Sequence, residues 1–197
     1  VEREDKAIAI SFDAAWGDEY TQEILDILDK EDIKSTFFLV SMWIDKYPDQ
    51  VQAIADAGHE IGNHSSTHPD MAKLDKAKIE EELNTTNENI RKYHEMDSFL
   101  FRPPFGSYNN ELIKTVEEMG GYTIQWDVDS LDWKNEGAEQ IVNRVVSNVK
   151  PGSIVLFHNN AEYTTEALPT IIKELKEQGY TFVPISELIY KENYTMD

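Results

Sequence analysis

Ala7-Ile8-Ala9-Ile10-Ser11-Phe12 is followed by a helical pattern from Tyr20 to Lys30 and then by Ser35-Thr36-Phe37-Phe38-Leu39-Val40, and these three stretches decide the fold. The first and third are short, β-rich and apolar and read as buried strands. Between them Ile24, Leu25, Ile27 and Leu28 recur with helical spacing. The same alternation continues down the chain. A helix over Pro48–Ala57 stops at Gly58 and a third strand runs His59–Gly62. The longest helix, Asp75–Tyr93, leads to a fourth strand, Phe99–Phe101, cut off by Pro103 and Pro104. A helix over Asn109–Met119, closed by Gly120 and Gly121, precedes a fifth strand, Tyr122–Trp126. Then come a helix over Ala138–Val149, a sixth strand at Ser153–Phe157, a helix over Thr164–Gln178, a seventh strand at Tyr180–Val183 and a short helix over Ser186–Tyr190.

Strand and helix alternate about seven times, which calls for a parallel sheet with helices outside it. Seven or eight such units in 197 residues predict an α/β fold, a distorted (β/α) barrel with about seven parallel strands and short connections. The chain reads as one domain over 1–197, with 1–6 and 191–197 as loose ends.

Composition excludes several classes. With 18 basic and 38 acidic residues the net charge is −20, which repels phosphate backbones and excludes a nucleic-acid partner. No stretch approaches the ~20 apolar residues of a membrane span, so no membrane insertion is expected of this chain. The absence of cysteine removes disulfides, thiolate ligands and a cysteine nucleophile together. The charged lead-in Val1–Lys6 is not an export signal, so an extracytoplasmic location rests on upstream residues. Oligomeric state is open.

The chemistry-bearing residues fall in one kind of place. Asp13 follows the first strand, His64 and His68 the third, Arg102 the fourth, Asp127, Asp129 and Asp132 the fifth, and His158 the sixth. All lie at strand C-terminal ends, where barrel active sites are built. Within Gly62-Asn-His-Ser-Ser-Thr-His-Pro69, His64 and His68 are four apart; on one helical turn they share a face and can converge on a metal ion. Asp13 can take a proton from metal-bound water, and Arg102 can lock that carboxylate by a bidentate pair. His158 can protonate a leaving group, with Asp129 as the acidic partner that raises its pKa. Trp133 supplies a flat apolar wall for a sugar ring. Together these describe metal-assisted hydrolysis of an amide or ester on a carbohydrate. Each residue has a plainer reading: Asp13 as a turn residue, Arg102 as surface, His158 as a satisfied strand-end histidine, the histidine pair as turn caps, the tryptophans as packing. Their coincidence at one end favours the chemical reading.

With these residues assembled, the sequence resembles the polysaccharide deacetylases of carbohydrate esterase family 4, the NodB-homology domain. The resemblance spans Ala7 to about Leu188 and rests on five ordered motifs: Ser11-Phe-Asp-Ala14, His64-Ser-Ser-Thr-His68, Arg102-Pro-Pro-Phe-Gly106, Asp129-Ser-Leu-Asp-Trp133 and Val155-Leu-Phe-His158. It implies removal of acetyl groups from N-acetylated cell-wall or chitin-like glycans, peptidoglycan included. By it Asp13 is the base, Arg102 fixes it, and Asp129 tunes the acid His158. It also implies that His64 and His68 bind a divalent metal (zinc, or else cobalt or nickel), that the Phe105 N–H stabilises the oxyanion, and that Trp133 and Leu156 line the acetyl pocket. The first motif departs from the family pattern: Ala14 stands where a second aspartate usually supplies the third metal ligand. The variant resembles the sporulation-associated branch, which implies a cell-wall or spore association. It also opens the alternative of a catalytically inactive glycan-binding domain.

Overall fold

The structure, a computed structural model, describes residues 1–192, so 193–197 of the expected loose C-terminal end lie outside the described residues. Eight strands form one parallel sheet: β1 (Ala7–Ala14), β2 (Thr36–Leu39), β3 (Glu60–Asn63), β4 (Phe99–Phe101), β5 (Gly121–Thr123), β6 (Val128–Asp129), β7 (Ile154–His158) and β8 (Thr181–Phe182). Seven follow the order β5-β4-β3-β2-β1-β7-β6, and β8 pairs with the start of β1. The helices are α1 (Thr21–Lys30), α2 (Ser41–Lys46), α3 (Pro48–Asp56), α4 (Lys76–Ile90), α5 (Asn110–Glu118), α6 (Ala138–Asn148), α7 (Thr164–Glu177) and α8 (Ile185–Leu188). The expected distorted (β/α) barrel is therefore the fold. β5 and β6 do not pair; the segment between them spans the seam, with the Ile124 N–H on the Phe101 carbonyl and the Asp127 N–H on the Ile154 carbonyl.

β1 shows why the sequence folds this way. All eight of its residues are buried. Because strand side chains alternate, Ile8, Ile10, Phe12 and Ala14 join the core beneath the helices, and Ala7 and Ala9 pack inside the barrel with Phe38, Leu100 and Ile124. Small residues on the inner face leave room for Phe38. The outer core stacks Phe12 between Phe37 and Phe157, at 5.0 and 5.6 Å between ring centroids. The helices supply apolar stripes to it, Ile24, Leu25 and Leu28 from α1 and Ile171, Ile172 and Leu175 from α7.

Three expectations change. The fifth strand ends at Thr123 rather than Trp126, and β6 is a two-residue strand too short to read from periodicity. α2 was not expected, for it has one and a half turns and no side-chain cap. The N-terminal lead-in is not loose: Arg3 donates to the carbonyls of Glu187 and Leu188 at 3.2 and 2.9 Å.

The end of β3 is packed tightly behind the site. A methyl group on Gly62 would stand 2.5 Å from the Phe38 ring and 3.2 Å from the Leu100 carbonyl. Gly62→Ala is therefore expected to cost about 1–3 kcal/mol by overpacking, a fall in Tm of several degrees by scanning calorimetry.

Candidate functional site

Parallel pairing brings the chemistry together. β1 is in register with β7 so that Asp13 lies beside His158. β3 pairs with β4 at Asn63 and Phe101, and the Arg102 N–H donates to the Asn63 carbonyl, which puts His64 and Arg102 side by side. Four strand ends thus present Asp13, His64, Arg102 and His158 to one mouth.

Asp13 and Arg102 form the buried centre. Arg102 is 0% exposed and its Nη1 donates to Asp13 Oδ1 at 2.8 Å. The contact is a single hydrogen bond and not the expected bidentate pair: Nε and Nη2 of Arg102 have no partner, and the guanidinium lies 4.2 Å above the Phe38 ring. Burial alone would raise the Asp13 pKa, but the charge of Arg102 foremost, with that of His158, holds it below the ordinary carboxylate value. Asp13 is therefore ionised at neutral pH.

The histidine pair is carried by a loop and not by a helical turn. Ser65 and His68 both have positive φ, 70° and 59°. Such backbone in non-glycine residues persists only where the surroundings fix it. Here Asn63 Oδ1 accepts the Ser65 N–H, Ser65 Oγ accepts the His68 N–H, and Glu82 on α4 accepts the N–H groups of Ser66 and Thr67 at 2.7 and 2.8 Å. The rings of His64 and His68 end 5.0 Å apart, edge to face. Burial lowers both pKa values, that of His68 to about 4, so both are neutral. His64 Nδ1 lies 2.8 Å from the Arg102 carbonyl, which can only accept. Nδ1 therefore carries the proton, and the bare Nε2 faces Asp13 Oδ2 at 3.5 Å. Two acceptors aimed at each other in a buried site leave a place for a cation, and an outer N–H held by a carbonyl is the usual support of a metal-ligating histidine. A third donor is missing. Ala14 is 0% exposed and its methyl belongs to the outer core. Among the described residues no group of three or more His, Asp or Glu side chains is arranged to hold a metal ion. The residues fit a weakly held two-histidine ion rather than a three-ligand catalytic zinc site.

The acidic partner of His158 is Asp132, which corrects the expectation of Asp129. Asp132, 1% exposed, accepts His158 Nδ1 and the Trp133 N–H on Oδ1, at 2.7 and 2.9 Å. Its Oδ2 accepts the His158 backbone N–H and the Thr164 hydroxyl, both at 2.7 Å. Asp129 instead closes its own turn, accepting the Leu131 N–H at 2.8 Å. The loop reverses through Leu131 and Asn135, both left-handed with φ of 53° and 52°. That reversal swings Asp132 under His158, and no propensity in Asp129-Ser-Leu-Asp-Trp133 announces it. Burial alone would lower the His158 pKa; the hydrogen bond and charge of Asp132, with smaller contributions from Asp13 and Asp129, outweigh it and raise the pKa above the ordinary histidine value. Asp132 thus favours the cationic ring, the form that presents an Nε2–H. Asp127 is a strut, its carboxylate accepting the Ser153 hydroxyl and the Ile154 N–H.

Of the expected wall residues, Leu156 is buried two residues before His158 on the same face of β7. Trp133 is 57% exposed and follows Asp132 directly. Phe105, 72% exposed, has φ of 60° and meets the His68 ring edge-on at 4.7 Å. His59 serves the scaffold, its Nδ1 accepting the Ser35 N–H.

Comparison with known proteins adds names to this arrangement. The polysaccharide deacetylase family matches residues 1–124. The chain is 39% identical to a peptidoglycan-N-acetylglucosamine deacetylase of Bacillus cereus over 194 residues, 96% of this chain and 91% of that protein. It is 37% identical to YlxY of Bacillus subtilis over 182 residues, which are 92% of this chain but span only 57% of that protein's length. Among solved structures, BA3943 of Bacillus anthracis, a CE4 family pseudoenzyme, superposes with a TM-score of 0.90 at 40% identity, covering 94% of this chain and 66% of that one. A mutant of BA3943, 42% identical and also at 0.90, covering 94% and 68%, is described as having restored enzymatic activity.

Proposed function

The chain belongs to the polysaccharide deacetylase family, and on that premise we propose that it removes acetyl groups from N-acetylated cell-wall glycans, with Asp13 as base and His158 as acid. The observation that carries this reading is the pair of oppositely poised groups at one barrel mouth: a carboxylate paired with Arg102, which favours its ionised form, and an imidazole hydrogen-bonded to Asp132, which favours its protonated form. Opposed pKa values on neighbouring groups mark an acid and a base. Asp13 accepts the proton of the attacking water as its oxygen bonds to the acetyl carbon. Arg102 keeps the carboxylate aimed. The Phe105 N–H receives the negative charge that develops on the carbonyl oxygen. His158 Nε2–H then protonates the sugar nitrogen as the C–N bond breaks, giving acetate and a free amine. Trp133 and Leu156 flank the acetyl methyl, and Asp129 acts only through its charge. A divalent ion held by His64 and His68, zinc with cobalt or nickel as substitutes, supplies Lewis acidity and a more acidic water when bound. Action outside the cytoplasm follows from such a substrate, and no helix among the described residues is long and apolar enough to cross a membrane.

Ala14 favours a second reading, a glycan-binding domain without turnover. The two separate by measuring acetate release from tetra-N-acetylchitotetraose and from peptidoglycan, with zinc or cobalt and again with chelator. The expected result is release that needs metal in large excess over protein and stops with chelator, since two imidazoles hold an ion weakly. Release that ignores chelator removes the metal from the account. No release from folded protein moves the assignment to the second reading.

A further inference from the structure

Among the described residues, the large apolar and aromatic side chains that are well exposed are Val1, Trp16, Met42, Phe105, Tyr108, Trp133 and Tyr190. Val1 and Tyr190 lie near the two ends of the described chain. The others follow β1, β2, β4 and β6, so all are at the strand C-terminal ends that carry Asp13 and His158. Singly scattered exposed apolar residues need no explanation, but a concentration around one mouth marks a binding surface.

Trp16 stands out within that group. It lies outside the five motifs and has no part in the chemistry above. Its indole is 61% exposed. The backbone beside it is nevertheless fixed on the core: the Gly17 carbonyl accepts Trp43 Nε1–H at 2.6 Å and Asn159 Nδ2–H at 3.0 Å, and Asn159 also donates to the Thr21 hydroxyl. Trp43, Asn159 and Thr21 are all buried. A rigid mount under a solvent-facing ring is preorganisation for a ligand, because little freedom remains to be lost on binding. The ring touches the edge of His68 at 6.0 Å between centroids, and His68 touches Phe105. Trp16, His68 and Phe105 thus form one continuous aromatic wall from the β1 loop to the β4 loop.

We propose that Trp16 is a sugar-stacking platform that holds the pyranose next to the one whose acetamido group reaches Asp13 and His158. The occupant is a glycan strand of at least two N-acetylated sugars, since a flat indole with one polar edge matches the apolar C–H face of a pyranose flanked by hydroxyls. This deepens the deacetylase reading and rests on it for the placement of the reacting sugar.

The test is calorimetric binding of N-acetylglucosamine and of tetra-N-acetylchitotetraose to the wild type and to Trp16→Ala, Trp16→Phe and, as a distant exposed control, Tyr190→Ala. The expected result is tighter binding of the tetramer than of the monomer, an advantage that falls about fivefold to tenfold in Trp16→Ala. Trp16→Phe retains most of it, and Tyr190→Ala leaves it unchanged. Equal affinity for monomer and tetramer, or an undiminished advantage in Trp16→Ala, overturns the platform whatever the turnover. Trp16-dependent binding without acetate release keeps the platform and sinks the hydrolytic reading. Absence of any glycan binding by the folded wild type sinks both.

Discussion

Asp13→Asn is expected to reduce acetate release by about a thousandfold or more, the loss typical of a removed general base. The amide keeps the shape of the carboxylate but cannot take the proton from water. The same substitution has a structural consequence. Arg102 is 0% exposed and Asp13 is its ion-pair partner, so the variant leaves a buried charge uncompensated. That is expected to destabilise the fold by about 3 kcal/mol, read as a lower Tm. The two effects separate in the double variant Asp13→Asn with Arg102→Met. Removing both charges restores much of the stability, because a buried pair replaced by apolar packing is often near neutral, while activity stays lost. Recovery of activity along with stability in the double variant would show that Asp13 is structural and not the base.

Asp132→Asn has the second largest effect. The carboxylate accepts four hydrogen bonds, two on each oxygen, from His158 Nδ1, the N–H groups of His158 and Trp133, and the Thr164 hydroxyl. An amide nitrogen in place of either oxygen meets donors with a donor. It also removes the charge that outweighs burial at His158. The rate at neutral pH is expected to fall about a hundredfold, the scale of a disabled general acid. The pH profile carries the sign. A general acid must be protonated to act, so wild-type activity declines as pH rises through the raised His158 pKa. In Asp132→Asn that decline moves to lower pH. Stability follows the same linkage. A histidine pKa raised in the folded state contributes stability that is complete below the unfolded value near 6.5 and is lost as pH rises through the folded value. The difference in Tm between wild type and Asp132→Asn is therefore largest in mildly acidic buffer and shrinks on the alkaline side. An alkaline limb that stays in place in Asp132→Asn would remove His158 as the acid.

The strand-end residues were legible from the sequence because strand direction does the assembly. Once the strands read as parallel, Asp13, His64, Arg102 and His158 had to emerge at the same end of the sheet; the pairing of β1 with β7, which sets Asp13 beside His158, came from the structure. What the sequence hid is set by short irregular backbone. The histidine spacing suggested a helical turn, but a loop with two positive-φ residues brings the rings together, held locally by Asn63 and from α4 by Glu82. Asp129 and Asp132 look alike in the chain, and only the left-handed conformations at Leu131 and Asn135 decide which reaches His158. β6 and α2 escaped because each is too short to repeat its period twice. The arrest of the fifth strand at Thr123 also depends on the open seam, a property of the whole barrel rather than of the local sequence.

The claim at the centre is that Asp13 and His158 form a working base and acid in spite of Ala14. The most direct measurement is acetate release from tetra-N-acetylchitotetraose with zinc in excess, followed across pH for the wild type and for Asp13→Asn. The wild type is expected to release acetate at a rate that declines on the alkaline side above the ordinary histidine pKa, and Asp13→Asn to release it more slowly by about a thousandfold or more. Folded wild type that binds the tetramer and releases no acetate at any pH would contradict the claim and leave a glycan-binding domain in its place.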